Sequence, residues 1–325
     1  MSGASLMGGP IVAVDPKAPP PPAVQRFSIL PNGLEVACQS AKETEHIFAD
    51  IFDHRVYLSN GITLWDGACV FDVGGNIGLF TVFVHQTYRG ARTYTFEPAP
   101  PLFEILRYNA ARYGGDCRLF PYGVAARRGQ ATLTFYPYSS GMSSFHGDAR
   151  EEKEVLRILL ENQRRAGDGE AGSLLPVAEE FLDARFTCES FECPLVSLSE
   201  VIRQEGVGSI DLLKIDVQKS ELEVLRGIAP EDWPKVRQVA IEVHDLDGQL
   251  ARVRALLEAQ GFGVVVEQDP LYERSVMYNL FAIRKGFYRD LAGRGAAAVS
   301  GAGDPARSRR SQRAFAQMRR QRRNP

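Results

Sequence analysis

The hydrophobic pattern divides the chain into a repeating middle and two irregular flanks. Around Val70-Phe71-Asp72-Val73 the apolar residues run without alternation, break into Gly74-Gly75-Asn76-Ile77-Gly78, and resume from Leu79 at helical spacing. A short continuous apolar run closed by turn residues is the pattern of a buried strand, here turning sharply into a helix. The rhythm then repeats. Residues 91–98 read as a strand ending in a carboxylate, 102–109 as a helix, 118–125 as a short third strand running into a turn, and 131–136 as an alternating edge strand. Further on, Val201-Ile202 opens a short helix, followed by a strand over 210–217, a helix over 220–225, a strand over 236–242 and a helix over 249–260. Strands alternating with helices predict a parallel, doubly wound α/β sheet. The last two strands, 263–268 and 277–284, have no helix between them and must pair antiparallel.

The flanks carry other patterns. Residues 1–25 include Ala18-Pro19-Pro20-Pro21-Pro22 and offer little for a core, so they read as a disordered, extended leader. Residues 26–67 read as an N-terminal cap. Pro31-Asn32-Gly33 turns between two short alternating arms, and apolar residues recur at helical spacing over 41–52. The body, 68–286, is interrupted over 137–194. That stretch combines a small-residue segment, Ser139 to Phe145, with a charged helical face at Val155, Leu156, Ile158 and Leu159 and with the loose Gly167, Gly169 and Gly172. An insertion of this size usually serves as a lid or substrate platform. Residues 287–325 read as a flexible arm.

Composition narrows the class. An apolar fraction of 44% suits a soluble globular protein. No apolar run reaches the roughly 18–20 residues that span a bilayer, and no secretory signal pattern is visible. The five cysteines (Cys38, Cys69, Cys117, Cys188 and Cys193) are scattered without redox or zinc spacing, which points to a reduced, cytoplasmic protein. The net charge of −2 hides an asymmetry: eight of the 38 basic residues are arginines after Ala306, in a stretch without acids, and the remaining 30 face 40 acidic residues. An acidic body is not the footprint of a nucleic-acid-binding domain. The arm reads either as a solvated tail or as a contact for an acidic protein surface or RNA.

The turn after Asp72 is where chemistry enters. Gly74, Gly75 and Gly78 let the backbone approach a ligand and let the next helix pack closely on the sheet. A dinucleotide turn needs a central glycine where Asn76 stands, and no Gly-Lys-Ser/Thr closes the turn as in a P-loop. A phosphate-free nucleoside, S-adenosylmethionine, satisfies these conditions. The parallel sheet ending in an antiparallel hairpin is likewise the layout of class I methyltransferases, with a Rossmann-like core. Glu97, ending the second strand, is then placed to accept both ribose hydroxyls; a helix cap is the alternative.

Phe71-Asp72-Val73-Gly74-Gly75-Asn76-Ile77-Gly78, Phe96-Glu97-Pro98, Leu213-Lys214-Ile215-Asp216-Val217 and Ile241-Glu242-Val243-His244, in this order, resemble the FkbM family of S-adenosylmethionine-dependent methyltransferases. The Asn32-Gly33-Leu34-Glu35-Val36-Ala37 block, the Glu43-Thr44-Glu45 helix and the Glu242-Val243-His244-Asp245 ending are most similar to O-methyltransferases of polyketide and mixed peptide–polyketide pathways. Gln218-Lys219 depart from the Glu-Gly that usually follows Lys-Ile-Asp-Val in the family. The resemblance implies cofactor contacts from Asp72, Gly74, Gly75, Asn76, Gly78, Glu97 and Asp216. Tyr122 and Gly123 border the adenine in this reading, or form a plain turn. It also implies an acyl substrate carried by an acidic carrier protein, or a free small molecule.

Transfer to a hydroxyl needs a base that removes its proton as the C–O bond forms. His244, expected just past the end of a core strand where doubly wound sheets bind ligands, suits that task, with Asp216 close to the reacting centre. Glu242, two residues away and on the same face, is expected to orient the imidazole or hold the hydroxyl. A second arrangement uses Lys214, Asp216, Glu242 and Asp245, whose acids at adjacent strand ends could hold magnesium. Two rival classes remain: a methyltransferase of sugars or free small molecules, and a non-catalytic scaffold that kept the cofactor fold.

Overall fold

The computed structural model describes residues 24–167 and 178–288. The leader, the glycine-rich part of the insertion and the arginine-rich arm lie outside the described residues. Chain order begins with a hairpin, β1 (Phe27–Ile29) and β2 (Glu35–Ala37), and helix α1 (Ala41–Phe48). The helix expected over 41–52 changes at Ala49 into a wider turn, Ala49–His54, which Arg55 ends in the left-handed region at φ 53°. This cap shares a core with the body: Phe48 stacks on Phe52 at 4.6 Å, and Phe52 meets Phe83 edge-on at 5.2 Å. Asn109, fully buried, accepts the Ala37 N–H at 2.8 Å and donates to the carbonyls of Ala37 and Ile77 at 2.9 and 2.8 Å.

The expected α/β alternation follows. It consists of β3 (Cys69–Val73), α2 (Leu79–Thr87), β4 (Arg92–Phe96), α3 (Pro100–Tyr113) and β5 (Asp116–Phe120). After the insertion come α6 (Leu198–Gln204), β9 (Leu212–Ile215), α7 (Glu221–Arg226), β10 (Gln238–His244), α8 (Gln249–Ala259), β11 (Phe262–Glu267) and β12 (Met277–Arg284). The seven strands are ordered β11-β12-β10-β9-β3-β4-β5, parallel except for β12, which runs antiparallel to both neighbours. This is the mostly parallel sheet with a C-terminal antiparallel hairpin that marks class I methyltransferases. Parallel pairing places Asp72 opposite Lys214, so the candidate site residues of these strands gather at the carboxyl ends of β3, β4 and β9.

Three expectations are corrected. The third strand breaks at Pro121, which has no N–H for the ladder. Its first part is β5; its second, β6 (Gly123–Val124), joins a separate three-stranded sheet with order β6-β8-β7. The edge strand, β7 (Gly129–Phe135), belongs to that second sheet as well, antiparallel to β8 (Glu189–Val196). Most of β8 falls within 137–194, the stretch expected to be a lid, and it is instead the middle strand of this sheet. Pro194 sits opposite Gln130 of β7 and just outside the two-residue pairing with β6, which takes Leu195 and Val196. The insertion proper therefore holds α4 (Ala149–Arg165), capped by Asp148, and α5 (Ala178–Arg185). At the C-terminus the body runs slightly past Gly286: Phe287 stacks on Trp65 at 5.8 Å, and the Tyr288 hydroxyl donates to the Gly61 carbonyl.

Candidate active site

The glycine turn is shaped mainly by protein contacts. A Cβ on Gly74, at φ +82°, would lie 1.8 Å from the Asp216 carbonyl oxygen, so the ends of β3 and β9 touch there. Gly78, at φ +86°, starts α2 beneath Leu106 of α3, which a Cβ would meet at 2.6 Å. Of the residues expected to hold a cofactor, Gly74, Asn76, Glu97, Tyr122, Gly123 and Asp216 line one pocket. Asp72, Gly75 and Gly78 do not line it. Asp72 is fully buried and accepts the Thr81 hydroxyl at 3.0 Å, and its other oxygen is 3.0 Å from the Lys214 ammonium.

Lys214 braces the floor of this pocket. Its ammonium donates to the Gly74 carbonyl at 2.6 Å and lies 3.9 Å from Asp216. Burial alone would lower its pKa, but the charges of Asp72 and Asp216 outweigh that and raise it, so the lysine stays charged. Asp216 accepts a 2.7 Å hydrogen bond from Tyr57 of the cap and a 3.3 Å bond from the Gln218 amide. Glu97 accepts the N–H groups of Asn76 at 2.8 Å and Ala99 at 2.9 Å. Burial pushes its pKa up to about 7, against the pull of those two donors.

His244 sits elsewhere than expected. It is the last residue of β10, because β12 extends the ladder to the pair His244–Met277, and it is 2% exposed. Its partner is not Glu242. Nδ1 lies 2.9 Å from Glu221 Oε1, and Glu221, fully buried, also accepts the Lys219 N–H at 2.8 Å and the Gln249 amide at 2.5 Å. Burial would lower the imidazole pKa; the Glu221 hydrogen bond and charge more than reverse this. Glu242 instead accepts the Gln218 amide at 3.3 Å, and burial followed by the nearby Asp216 charge pushes its pKa up to about 8. Gln218 thus bridges two carboxylates.

A second cavity, about 640 Å³, lies beneath α4 and is lined by His244, Lys219, Val155, Ile158, Leu246 and Val276 among others. Gln218 and Ser220 line the first pocket while Lys219 between them lines this cavity, so the 218–220 loop is their shared wall. Lys219 occupies the left-handed region at φ 74°, where a glycine is at ease. Its buried ammonium reaches Glu151 and Glu152 of α4 at 2.8 Å each and ties the lid to the site floor.

Tyr57 and Glu221 carried no sequence signal. Tyr57 sits in an irregular turn, and an acid in the first turn of a helix reads as a dipole partner. The magnesium arrangement does not assemble, since Asp245 caps α8 by accepting the Leu250 N–H at 3.1 Å. Among the described residues no three His, Cys, Asp or Glu converge as a metal-holding group, and no helix is long and apolar enough to cross a membrane.

A methyltransferase FkbM domain model matches residues 72–264. The chain is 44% identical over 255 residues to the 31-O-demethyl-FK506 methyltransferase FkbM of Streptomyces tacrolimicus, covering 78% of this chain and 95% of that protein. The chain belongs to the FkbM methyltransferase family. It is also 40% identical, over 82% of its length, to a segment making up 13% of the AMB antimetabolite synthetase AmbE of Pseudomonas aeruginosa. Among solved structures, the methyltransferase FkbM from Methylobacillus flagellatus KT superposes loosely, with a TM-score of 0.42 at 13% identity over 70% of this chain and 46% of that one.

The pocket chemistry suits a methyl donor. Its lining includes the carboxylates of Glu97 and Asp216 and neither lysine nor arginine. With the Lys214 ammonium beneath it taken up by Asp72, such a wall fits a cationic nucleoside better than the pyrophosphate of a dinucleotide.

Proposed function

We propose that this methyltransferase binds S-adenosylmethionine in the pocket at the ends of β3, β4 and β9 and methylates a hydroxyl group. The observation that carries the reading is the pocket wall bearing Glu97 and Asp216, one loop away from the buried His244–Glu221 pair, whose histidine lines the second cavity. Bound S-adenosylmethionine supplies an electrophilic methyl group. The residues supply position and a base. Glu97 accepts the ribose hydroxyls through oxygens that also hold the glycine turn. His244, with Nδ1 engaged by Glu221, keeps Nε2 for the acceptor hydroxyl proton. Glu242, its pKa pushed up by burial and the Asp216 charge, donates a hydrogen bond to the acceptor in its protonated form. The lid over the second cavity keeps bulk water from the reacting oxygen.

The acceptor we favour is a β-hydroxyl of an acyl chain bound to a carrier protein. One relative is named for methylation of 31-O-demethyl-FK506, which supports a hydroxyl acceptor, and the match to a segment of an antimetabolite synthetase supports a carrier-bound one. The second cavity is large enough for such a chain. The arginine-rich arm would then meet the acidic carrier. Mass spectrometry of a carrier-bound β-hydroxyacyl panel with S-adenosylmethionine should show a gain of one methylene. Methylation of the free alcohols with none of the carrier-bound forms would assign the enzyme to free small molecules. Unchanged carrier-bound turnover after deleting residues 289–325 would remove the role of the arm.

A further inference from the structure

The Glu43-Thr44-Glu45 segment belongs to helix α1 of the N-terminal cap. Glu43 lies in the first turn of α1, where its N–H is held by the Ser40 side chain at 3.4 Å and the neighbouring Thr44 hydroxyl donates to the Ser40 carbonyl at 2.7 Å. Its Oε1 accepts the Gly141 N–H at 2.8 Å. Its Oε2 is buried and has no hydrogen-bond partner among the described residues. A buried carboxylate oxygen without a donor is costly, and a site that keeps one calls for a cationic or N–H partner.

The surroundings say which partner. Gly141 and its neighbour Ser140 line the cofactor pocket, and the Asn76 amide reaches the Ser140 hydroxyl at 3.4 Å. The two carboxylates of the pocket wall are already engaged. Asp216 has one oxygen on Tyr57 and the other on Gln218, and Glu97 holds the Asn76 and Ala99 N–H groups beside the ribose position. The cofactor carries one further cationic group, the ammonium of its amino-acid end. We propose that Glu43 Oε2 binds that ammonium, which makes the N-terminal cap part of the cofactor site. This rests on the S-adenosylmethionine reading above.

Calorimetric titration of wild type and Glu43→Gln with S-adenosylhomocysteine and with 5′-methylthioadenosine, which lacks the amino-acid end, tests it. The glutamine can still accept the Gly141 N–H. The variant should bind S-adenosylhomocysteine roughly 10- to 100-fold more weakly, as for loss of a charged hydrogen bond. Its affinity for 5′-methylthioadenosine should stay within about twofold, which also shows that the pocket is folded. Equal weakening for both ligands, or for neither, overturns the assignment. Absence of S-adenosylhomocysteine binding to wild type overturns the cofactor reading itself, and this assignment with it.

Discussion

The proposed contact of Glu97 with the ribose hydroxyls would make cofactor binding depend on pH. In the free protein its pKa is pushed up to about 7 by burial. Ribose hydroxyls donate to the ionised carboxylate, so the cofactor selects the deprotonated form and binding releases a proton. The sign follows from the direction of the shift. The folded protein holds this proton between the ordinary value of 4.5 and about 7, so folding costs nothing at Glu97 at low pH. Stability falls as pH rises through that window, by about 3 kcal/mol in all. Affinity runs the opposite way. At pH 6 about one free molecule in eleven has Glu97 ionised, which weakens binding about tenfold, or ~1.4 kcal/mol, relative to pH 8. Calorimetry with S-adenosylhomocysteine in two buffers of different ionisation enthalpy should give about 0.9 proton released at pH 6, about 0.5 at pH 7 and about 0.1 at pH 8. Glu97→Gln should bind more weakly at pH 8 and lose the pH dependence. A flat affinity between pH 6 and 8, or a dependence that survives in Glu97→Gln, refutes the reasoning.

Three other perturbations are expected to separate the parts of the site. His244→Ala should lower kcat by about 10²- to 10⁴-fold with cofactor affinity nearly unchanged, and near-normal turnover would end its assignment as base. Because the His244 pKa is raised, the stability it adds is fully present below about pH 6.5 and fades as pH rises through the folded value. The melting difference between wild type and variant should therefore shrink from pH 6 to alkaline pH. Lys219→Met strands the 2%-exposed Glu152 without its cation and should cost about 3–5 kcal/mol in urea denaturation. Adding Glu152→Gln should recover much of that loss, whereas simple additivity would show that the pair does not hold the lid. Gly74→Ala places a methyl 1.8 Å from the Asp216 carbonyl oxygen in a left-handed turn, so soluble expression or cofactor binding should fail; a normally stable, binding-competent variant would mean that the two strand ends do not touch.

The sequence alone determined the parallel sheet, the glycine turn at the end of β3, the carboxylate ending β4 and the antiparallel final hairpin. These are local periods and breaks, legible because buried strands and amphipathic helices carry their own repeat. The family motifs then brought Asp216, Glu242 and His244 to one end of the sheet. Tertiary structure decided which of these groups face one another. The imidazole turned to Glu221 because the helix after β9 packs its first turn against the end of β10. Glu242 was left to Gln218, and Asp216 to Tyr57 of the cap. It also moved β7 out of the main sheet, since its partner β8 lies more than fifty residues later. The pairing of a strand, and the partner of a buried charge, depend on groups far apart along the chain that no local pattern records. The glycine turn was therefore visible in the sequence, while the partner of His244 emerged only when the chain closed on itself.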